Sequence, residues 1–483
     1  MPPVGQRTVK RVTPPPRTLT DLRRTGYTSR SVKTEIRQNL LARLAAGTPS
    51  FPGILGFDET VLPEVERALL AGHDLVLLGE RGQGKTRLIR TMTGLLDEWV
   101  PVVEGCEIND DPLAPVCRRC QTLVAEHGGD TPVGWLHRSL RYGEKLATPD
   151  TSVGDLIGDV DPIKVAEGRT LGDPETVHYG LIPRTNRGIF SVNELPDLAE
   201  RIQVALLNVL EERDIQVRGY TLRLPLDLML VASANPEDYT NRGRIITPLK
   251  DRFGAEVRTH YPLDLVDEVA LIRQEAQLIW DPDTPHAAPA VPDHLMEVVA
   301  RYTRAVRDAP AVDQRSGVSA RFAIAAVETL AASAVRRAAV TGEPVAVART
   351  CDLPAVVPAS RGKVEFEDAD EDRELELLAH LLRRATAETF RARLAGVDLA
   401  PLQRKFDNGA TVETGDLVPA EELLRQVGPF TGLAAVIGRL ETEGGTEDPG
   451  LAAAAVEFAM EGLYLNRRLS KDSDGGRAVY GSG

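Results

Sequence analysis

The stretch DLVLLGERGQGKTRL, from Asp74 to Leu88, decides the fold of this chain. Its first part, Leu75 to Leu78, is short, continuous and apolar, which is typical of a buried parallel strand. The strand breaks at Gly79, and the eight residues from Gly79 to Thr86 fit the pattern G-x-x-x-x-G-K-[ST]. A helix is predicted from Thr86 to about Leu96, so the pattern lies between a strand and a helix, where a phosphate-binding loop is expected.

Phosphate binding needs these residue types at this spacing. Glycines let the backbone curl, so that successive N–H groups point at phosphate oxygens. Lys85 reaches the β- and γ-phosphates, and the Thr86 hydroxyl is placed to ligate Mg²⁺. The residues predicted to bind the nucleotide here are Gly79, Glu80, Arg81, Gly82, Gln83, Gly84, Lys85, Thr86 and Arg87.

Length, charge and cysteine content exclude several classes of protein. A chain of 483 residues is too long for one core and predicts two to four domains. Its net charge of −14 argues against general nucleic-acid binding. No apolar run approaches the ~20 residues of a membrane helix, and the basic N-terminus lacks the apolar segment of a secretory signal. Four cysteines do not make a disulfide framework, so we expect a cytoplasmic protein.

Polar residues follow two further predicted strands. The apolar run from Gly188 to Val192 ends in Asn193 and Glu194, and a third run ends at Asn235. Glu194 is placed to polarise the attacking water, and Asn235 to orient it or contact the γ-phosphate. Asn193 takes the place of the usual Mg²⁺-associated acid and supplies no charge, which predicts weaker metal binding or turnover. The alternatives are a helix cap for Asn193-Glu194 and a turn for Asn235.

Two arginines are candidates for γ-phosphate contacts. Arg252 follows the third strand and could reach the nucleotide of a neighbouring subunit, or else form an ordinary surface salt bridge. Arg321 lies in the first turn of a helix that Ser319 is predicted to cap. A cation there opposes the helix dipole, which suggests a nearby anion.

The cysteines between the first and second predicted strands suggest a metal. Cys117 and Cys120 form C-x₂-C, Cys106 lies upstream and His127 beyond. This spacing is compatible with a tetrahedral zinc site but incomplete, since a second clean pair is missing. Ordinary reduced thiols are the alternative.

In this order the motifs resemble an AAA+ ATPase, and more narrowly the MoxR and magnesium-chelatase I-subunit branch. The resemblance covers roughly Phe51 to Val340. It rests on GERGQGKT, TSVGDLIGDVDPIKVAEG, GLIPRTNRGIFSVNELPDL, LLNVLEERDIQVRG, SANPEDY, LKDRFG and GVSARF.

The resemblance implies a role for each matched residue. Lys85 and Thr86 would belong to the Walker A motif, and Asn193 and Glu194 to the Walker B motif. Asn235 would be sensor 1, Arg252 the arginine finger and Arg321 sensor 2. Thr86, Asn193 and Glu194 would hold Mg²⁺. Asp155 to Gly168 would lie in the helix-2 insert, and Asp214 to Leu224 in the pre-sensor-1 hairpin. The implied cofactors are ATP and Mg²⁺.

The implied fold is α/β, a P-loop NTPase αβα core with a parallel sheet, followed by an all-α lid and a helical extension. The expected domains are a basic, partly disordered arm (1–47), the ATPase core (48–262), the lid (263–350) and a helical C-terminal extension with a disordered tail (351–483). Relatives form rings, usually hexamers, with ATP between subunits, and commonly work with a partner that carries a von Willebrand A domain.

Three functional hypotheses follow. The first is an ATP-driven motor that remodels or activates a partner protein. The second is the ATPase I subunit of a magnesium chelatase in tetrapyrrole synthesis. The third, motivated by Asn193, is an ATP-gated scaffold with little turnover. A DNA motor or transcription activator is disfavoured by the acidic charge and by the lack of a helix-turn-helix or a G-A-F-T-G-A-like loop.

Overall fold

The chain forms two compact units. One comprises Met1–Gly79 and Gly84–Thr259, and the other Glu80–Gln83 and His260–Gly483. The structure, a computed structural model, describes residues 15–160, 176–211, 215–217, 220–222, 224–236, 244–280, 283, 286, 288–313, 317–367, 371–428, 430–440 and 448–483.

The first unit is built from short strands and helices in alternation. Its described strands are β1 (Leu75–Leu78), β2 (Trp99–Val103), β3 (Val133–His137), β4 (Tyr142–Leu146), β5 (Gly158–Val160), β6 (Val177–Tyr179), β7 (Gly188–Asn193), β8 (Ile215–Val217), β9 (Tyr220–Leu222), β10 (Leu228–Ala234) and β11 (Ala255–Arg258). Its described α-helices are α1 (Leu19–Arg24), α2 (Val32–Ala46), α3 (Val61–Ala71), α4 (Lys85–Thr91), α5 (Arg118–His127), α6 (Val153–Leu156), α7 (Leu181–Arg184), α8 (Glu200–Glu211) and α9 (Thr247–Arg252). Short 3-10 turns cover Met92–Leu95, Gly128–Asp130, Arg138–Leu140 and Leu195–Asp197.

A five-stranded parallel sheet organises this unit, in the order β11-β1-β10-β7-β4. Both of its faces are buried. In β1, Leu75 and Leu77 pack with α2, α3 and α4, whereas Val76 and Leu78 belong to the core on the opposite face. Alternate residues of a strand point to opposite faces, so a continuous apolar run fits a sheet covered on both sides. The predicted P-loop αβα core is confirmed.

The edge strand β4 was not predicted, because the region between Asp97 and Tyr179 reads as polar. Its sequence is YGEKL, and its side chains are only partly buried. An edge strand has one neighbour, here β7, and tolerates charged residues that a central strand would exclude. The segment also holds the antiparallel pairs β2–β3 and β5–β6.

The part of the N-terminal segment that the structure describes belongs to the first unit and is not a separate arm. Helix α2 buries Val32, Ile36 and Leu40 in the core. Its Glu35 carboxylate accepts two hydrogen bonds from Arg141, at 2.8 and 2.6 Å, and both side chains are almost wholly buried. A buried, bidentate ion pair holds its partners firmly, because either charge alone would be left without solvent. The Pro-rich residues 1–14 lie outside the described range.

The second unit is mainly helical. Its described α-helices are α10 (Leu265–Glu275), α11 (Asp293–Arg307), α12 (Ala320–Thr341), α13 (Val356–Arg361), α14 (Glu371–Arg393), α15 (Ala400–Asp407), α16 (Ala420–Val427), α17 (Leu433–Leu440) and α18 (Pro449–Leu465), with a 3-10 turn at Thr350–Ala355. The predicted lid (263–350) and extension (351–483) share one hydrophobic core, which joins α11 and α12 to α14 and α18. Two buried ion pairs cross the predicted boundary, Arg337–Asp352 at 3.1 Å and Arg349–Glu457 at 2.9 Å.

The C-terminal tail, predicted to be disordered after Ser470, is a β-hairpin. Strands β13 (Leu469–Asp474) and β14 (Arg477–Ser482) pair antiparallel, and β14 also pairs with β12 (Val412–Gly415). The two-residue turn is Gly475-Gly476, with φ of 57° and 83°. Two adjacent residues with positive φ are the signature of a tight hairpin, which glycine adopts without strain. Tyr480 anchors the hairpin, since its buried hydroxyl donates to Glu461.

In the part of the chain that the structure describes, no helix is both long enough and apolar enough to span a membrane. The cytoplasmic location stays a prediction.

A buried histidine is expected to make the stability of the second unit depend on pH. His294 of α11 is 2% exposed and packs against Phe458, with 4.7 Å between the ring centroids and a tilt of 47° between the rings. Burial, and then the charge of Arg393, lower the pKa of His294 to about 3. The unfolded chain binds this proton near pH 6.5, so the free energy of unfolding should fall below that pH by about 1.4 kcal/mol per unit.

His294→Leu should flatten this dependence between about pH 6.5 and 4.5, because no proton is then taken up at this position on unfolding. Urea unfolding at several pH values measures the slope. His380→Gln is the matched control, since His380 is exposed on α14 of the same unit. An unchanged slope in His294→Leu would contradict the assignment.

Candidate functional site

The loop from Gly79 to Lys85 joins β1 to α4, as the motif predicts. Gly82 and Gly84 have φ of 75° and 79°, in the left-handed region that favours glycine. Gly84 is the N-cap of α4, which begins at Lys85 and continues as the 3-10 turn to Leu95. Thr86 is half-buried in the first turn of α4, and Arg87 is exposed. This backbone can turn N–H groups towards an anion.

Four residues of the loop, Glu80 to Gln83, group with the second unit. The Tyr261 hydroxyl donates to the Arg81 carbonyl oxygen at 2.8 Å. The Tyr261 ring in turn lies 4.2 Å from the guanidinium of Arg307, which is paired with the buried Glu268. Burial, and then the nearby Glu80 carboxylate, raise the pKa of Tyr261, so the phenol stays a hydrogen-bond donor. A residue outside the motif, Tyr261, thus contacts the backbone of the loop directly.

Lys85 is the buried cation of the site. Its side chain is 7% exposed, and Nζ donates to the carbonyl oxygen of Gly79 and, at 3.0 Å, to Oδ1 of Asn235. Asn235 follows β10, which lies beside β1 in the sheet, so the parallel strands bring these side chains together. These two oxygens orient the ammonium at the carboxyl ends of β1 and β10. An ammonium in this position beside a phosphate-binding loop suits a phosphate ligand.

Asn193, at the end of β7, is held by a polar network. Its Nδ2 donates to Oε1 of Glu144 at 2.7 Å, and its Oδ1 accepts from Ser233 at 3.3 Å. Glu144 on β4 also accepts a bidentate pair of hydrogen bonds from Arg90, at 2.9 and 3.0 Å, and one from Tyr142 at 2.9 Å. A carboxylate therefore stands directly beside the asparagine that replaces the usual acid.

The charge state of Glu144 is set by these contacts. Burial by itself would raise the pKa of this carboxyl, but the hydrogen bonds and charge of Arg90, and the donors Tyr142 and Asn193, lower it below its usual range. Burial raises the pKa of Tyr142 to about 12, so it remains a donor. Glu144 is ionised at neutral pH. The sequence did not single it out, since β4 was not recognised.

Glu194 lies immediately after Asn193, with φ of 55°. A non-glycine residue in this region is strained, and such strain is common where function fixes a side chain. Its backbone N–H donates to Oγ of Ser233, 3.4 Å away on β10. Asn193 and Glu194, at the end of β7, are thus both hydrogen-bonded to Ser233 of the neighbouring strand β10. Asn235 directly follows β10.

The two arginines lie in different units. Arg252 ends α9, is about half exposed and pairs with Glu211 of α8. Arg321 is exposed in the first turn of α12, and Ser319 is the N-cap of that helix, as predicted. In the single chain Arg252 matches the surface salt bridge that the sequence left as its alternative. Its role toward a neighbouring subunit stays a prediction.

The three cysteines predicted as a zinc site lie together, with Cys106 Sγ and Cys117 Sγ 4.0 Å apart. Hydrogen bonds from Cys117 and Cys120 lower the pKa of Cys106 to about 2, and the bond to Cys106 raises the pKa of Cys117 to about 12. A fourth residue, Asp110, joins them, whereas His127 is exposed at the end of α5.

The donor set around the loop fits Mg²⁺, which prefers oxygen ligands and keeps several waters. It offers the Thr86 hydroxyl, the Asn193 amide oxygen and the Glu194 carboxylate. The Glu144 carboxylate beside Asn193 already accepts two hydrogen bonds on each oxygen, and Arg90 is its counter-ion. The effect of the uncharged Asn193 on Mg²⁺ binding stays a prediction.

Comparisons with known proteins agree with these motifs. A family model described as the sigma-54 interaction domain matches residues 169–252, which include Asn193, Asn235 and Arg252. The magnesium-chelatase 38 kDa subunit of Rhodobacter capsulatus is 30% identical over 239 residues, covering 48% of this chain and 63% of that protein. The subunit ChlI of Anabaena variabilis is 27% identical over 213 residues, covering 44% and 59%.

The chain thus spans less than two thirds of the length of these curated relatives. Among solved structures, a cryo-EM-based complex of the magnesium-chelatase subunits BchI and BchD is 21% identical, with a TM-score of 0.35, and covers 67% of this chain and 98% of that one. A likeness at that score does not bear on the fold, which the strand order establishes. The sequence matches agree with the magnesium-chelatase part of the resemblance drawn from the motifs, and the MoxR part stays a prediction.

The two loop glycines provide a matched test of the contacts made by the loop. A Cβ on Gly82 would lie 2.1 Å from the Cβ of Ser319, whereas a Cβ on Gly84 would have nothing within 4 Å. Gly84→Ala should lower the free energy of unfolding by about 1 kcal/mol, through backbone strain alone. Gly82→Ala should lower it by at least about 1 kcal/mol more, because Ser319 must move.

Hydrogen exchange at the start of α12, without nucleotide, separates the two variants. Faster exchange there is expected in Gly82→Ala and not in Gly84→Ala. Equal protection of α12 in both would show that the Gly82–Ser319 contact does not restrain that helix.

Replacing Asn193 tests the network around Glu144. Asn193→Asp removes a donor to Glu144 and sets two carboxylates side by side, which should lower the free energy of unfolding at pH 7 by about 2 kcal/mol. The repulsion raises the pKa of one carboxyl, so the loss should shrink as the pH falls through that raised value.

The double variant Asn193→Asp, Glu144→Gln should recover most of the stability, since an amide again faces a carboxylate. Denaturant unfolding of the four proteins at pH 7 and pH 5 gives the coupling energy. Additive effects of the two substitutions would show that the residues are not coupled.

Proposed function

We propose that this chain, which is an AAA+ protein related to the magnesium-chelatase I subunits, binds ATP at the Gly79–Thr86 loop and hydrolyses it. The observation that supports this most directly is the buried Lys85 ammonium, oriented by Asn235 at the end of the adjacent strand. The strand-end pair Asn193-Glu194 on the next strand supplies the polar groups for hydrolysis. Phosphoryl transfer is mostly positioning and charge stabilisation, which such a fixed set provides.

Each residue has one task in this proposal. Lys85 stabilises negative charge on the β- and γ-phosphates. Mg²⁺, when bound, would neutralise phosphate charge, and Thr86, Asn193 and Glu194 would hold it or its waters. Glu194 orients and polarises the attacking water, and Asn235 keeps Lys85 directed at the phosphates.

The active form is proposed to be a ring, with six subunits as the usual number in the family. Arg252 of one subunit would then stabilise charge on the γ-phosphate of its neighbour, and Arg321 would contact the same nucleotide as sensor 2. Arg252 is bound to Glu211 through a half-exposed salt bridge. Such a pair contributes only about 0–1 kcal/mol, so assembly can break it.

For the role of the motor, the leading candidate is the I subunit of a chelatase-type assembly, because the matched curated relatives are magnesium-chelatase subunits. The second candidate is a MoxR-type motor that remodels a partner with a von Willebrand A domain. It is supported by the long helical region after residue 350, which forms one core with the lid. The segment matched by the sigma-54 interaction domain contains no G-A-F-T-G-A-like stretch, so we do not extend the proposal to transcription activation.

Two variants test the proposed chemistry. Lys85→Ala should bind ATP poorly and lose hydrolysis. Arg252→Ala should keep ATP binding but turn over about a thousandfold more slowly, as is usual for an arginine finger. Arg24→Ala is the matched control, because Arg24 is also an exposed, salt-bridged arginine of the first unit. Steady-state phosphate release and fluorescent-nucleotide binding give the two readouts.

Mixing the two inactive variants tests the ring. A Lys85→Ala subunit still donates Arg252 to its neighbour, so mixed rings should regain part of the activity. No recovery on mixing would mean that Arg252 does not act between subunits. Wild-type protein that binds ATP with negligible turnover would favour the ATP-gated scaffold instead.

The partner distinguishes the two candidate roles. The native complex can be trapped with Mg²⁺ and a slowly hydrolysed ATP analogue, purified by a tag on this chain and identified by mass spectrometry. A porphyrin-binding subunit in the complex would support the chelatase role. A von Willebrand A protein without such a subunit would support the remodelling role.

A further inference from the structure

The connection between β2 and β3 brings four metal-binding side chains to one point. One ligand atom from each of Cys106, Asp110, Cys117 and Cys120 lies within 4.8 Å of all the others. Cys117 is the N-cap of α5 and Cys120 lies in its first turn, while Cys106 and Asp110 come from the turn after β2. Cys120 and Asp110 are fully buried. All four belong to the first unit.

The hydrogen bonding of Asp110 provides a second, independent observation. Its Oδ2 accepts the backbone N–H groups of Val116 and Cys117, at 3.2 and 2.8 Å. Its Oδ1 is buried and has no hydrogen-bond partner among the described residues. A buried carboxyl oxygen left in this state is costly unless it binds a proton or a cation.

We propose that Cys106, Asp110, Cys117 and Cys120 bind one Zn²⁺ in a tetrahedral, structural site. Zinc–sulfur bonds of about 2.3 Å in a tetrahedron place two sulfurs about 3.8 Å apart, and Cys106 and Cys117 are 4.0 Å apart. Sulfur-rich sites select zinc over Mg²⁺ and Ca²⁺, which prefer oxygen. Four protein ligands complete the coordination, which is typical of structural rather than catalytic zinc.

Backbone groups around the cluster stabilise thiolates. The N–H of Asp110 donates to the sulfur of Cys106, and that of Cys120 to the sulfur of Cys117, both at 3.4 Å. Hydrogen bonds of this kind orient sulfur ligands and spread their negative charge. The Cys106 and Cys117 sulfurs, 4.0 Å apart, are both free thiols in the structure.

The proposed zinc would fix the β2–β3 connection against the segment that leads into β7. The Asn109 side chain donates to the Arg184 carbonyl oxygen at 2.8 Å, and Asn186 donates to that of Ile108 at 3.0 Å. Residues 184–187 immediately precede β7, which ends at Asn193 and is followed by Glu194. Metal binding would therefore order the segment that leads into β7, although the metal itself would not contact Asn193 or Glu194.

Metal analysis of the purified full chain tests the site. One zinc per chain is expected after gel filtration in metal-free buffer, with release by a mercurial that caps thiols. Cobalt substitution should give the visible bands of tetrahedral Co²⁺ and strong thiolate-to-metal absorption. Cys120→Ser should lose the metal, and Asp110→Asn should bind zinc at least about tenfold more weakly. Cys351→Ser is the control, because Cys351 lies in the second unit and should leave the zinc content unchanged.

Hydrogen exchange shows whether the role is structural. Removal of the metal should increase exchange in residues 104–120 and 181–187 before it affects β1 and β10. Three results would overturn the proposal: a metal-free wild-type chain that also binds no cobalt, a disulfide between two of these cysteines in protein prepared under reducing conditions, or full zinc content in both Cys120→Ser and Asp110→Asn. The cobalt spectrum of the wild-type chain tests the site even if a variant fails to fold.

Discussion

The site depends on how a buried ammonium is held. Lys85 is almost wholly removed from solvent, and its charge is oriented by the Gly79 carbonyl and the Asn235 amide. A buried ammonium is stable only where polar or charged groups surround it. The parallel order of β1, β10 and β7 gathers such strand-end side chains on one edge of the sheet.

Negative charge at this edge is distributed in an unusual way. Asn193, the last residue of β7, stands where the sequence resemblance predicts an acid, and a carboxylate oxygen of Glu144 on β4 lies 2.7 Å from its amide nitrogen. Arg90, from the helix that begins at Lys85, holds Glu144 ionised. The fold thus brings beside Asn193 a carboxylate from about fifty positions earlier in the chain, which is itself paired with Arg90. The expected effect of the uncharged Asn193 on turnover stays a prediction.

Much of the core was predictable because its signals are local. A pattern of about ten consecutive residues is enough to predict each of these elements. They are the strand–loop–helix at residues 75–91, the apolar runs that form β7 and β10, and the helix that begins after Ser319. Elements with mixed composition were missed. Strand β4 is a polar edge strand, and the C-terminal hairpin depends on the Gly475-Gly476 turn, which reads equally well as a flexible tail.

The sequence by itself determined the phosphate loop, the identities of the strand-end residues and the cysteine spacing, because each depends on residues close together in the chain. Only the tertiary structure decided which distant residues meet. It placed Glu144 beside Asn193, Glu35 against Arg141 and Asp110 among the cysteines. No described residue donates a hydrogen bond to the second oxygen of Asp110. The physical reason is that strand pairing and burial choose such partners, and a buried charge is stable only if the folded chain, or a bound ion, brings it an opposite charge or hydrogen bonds.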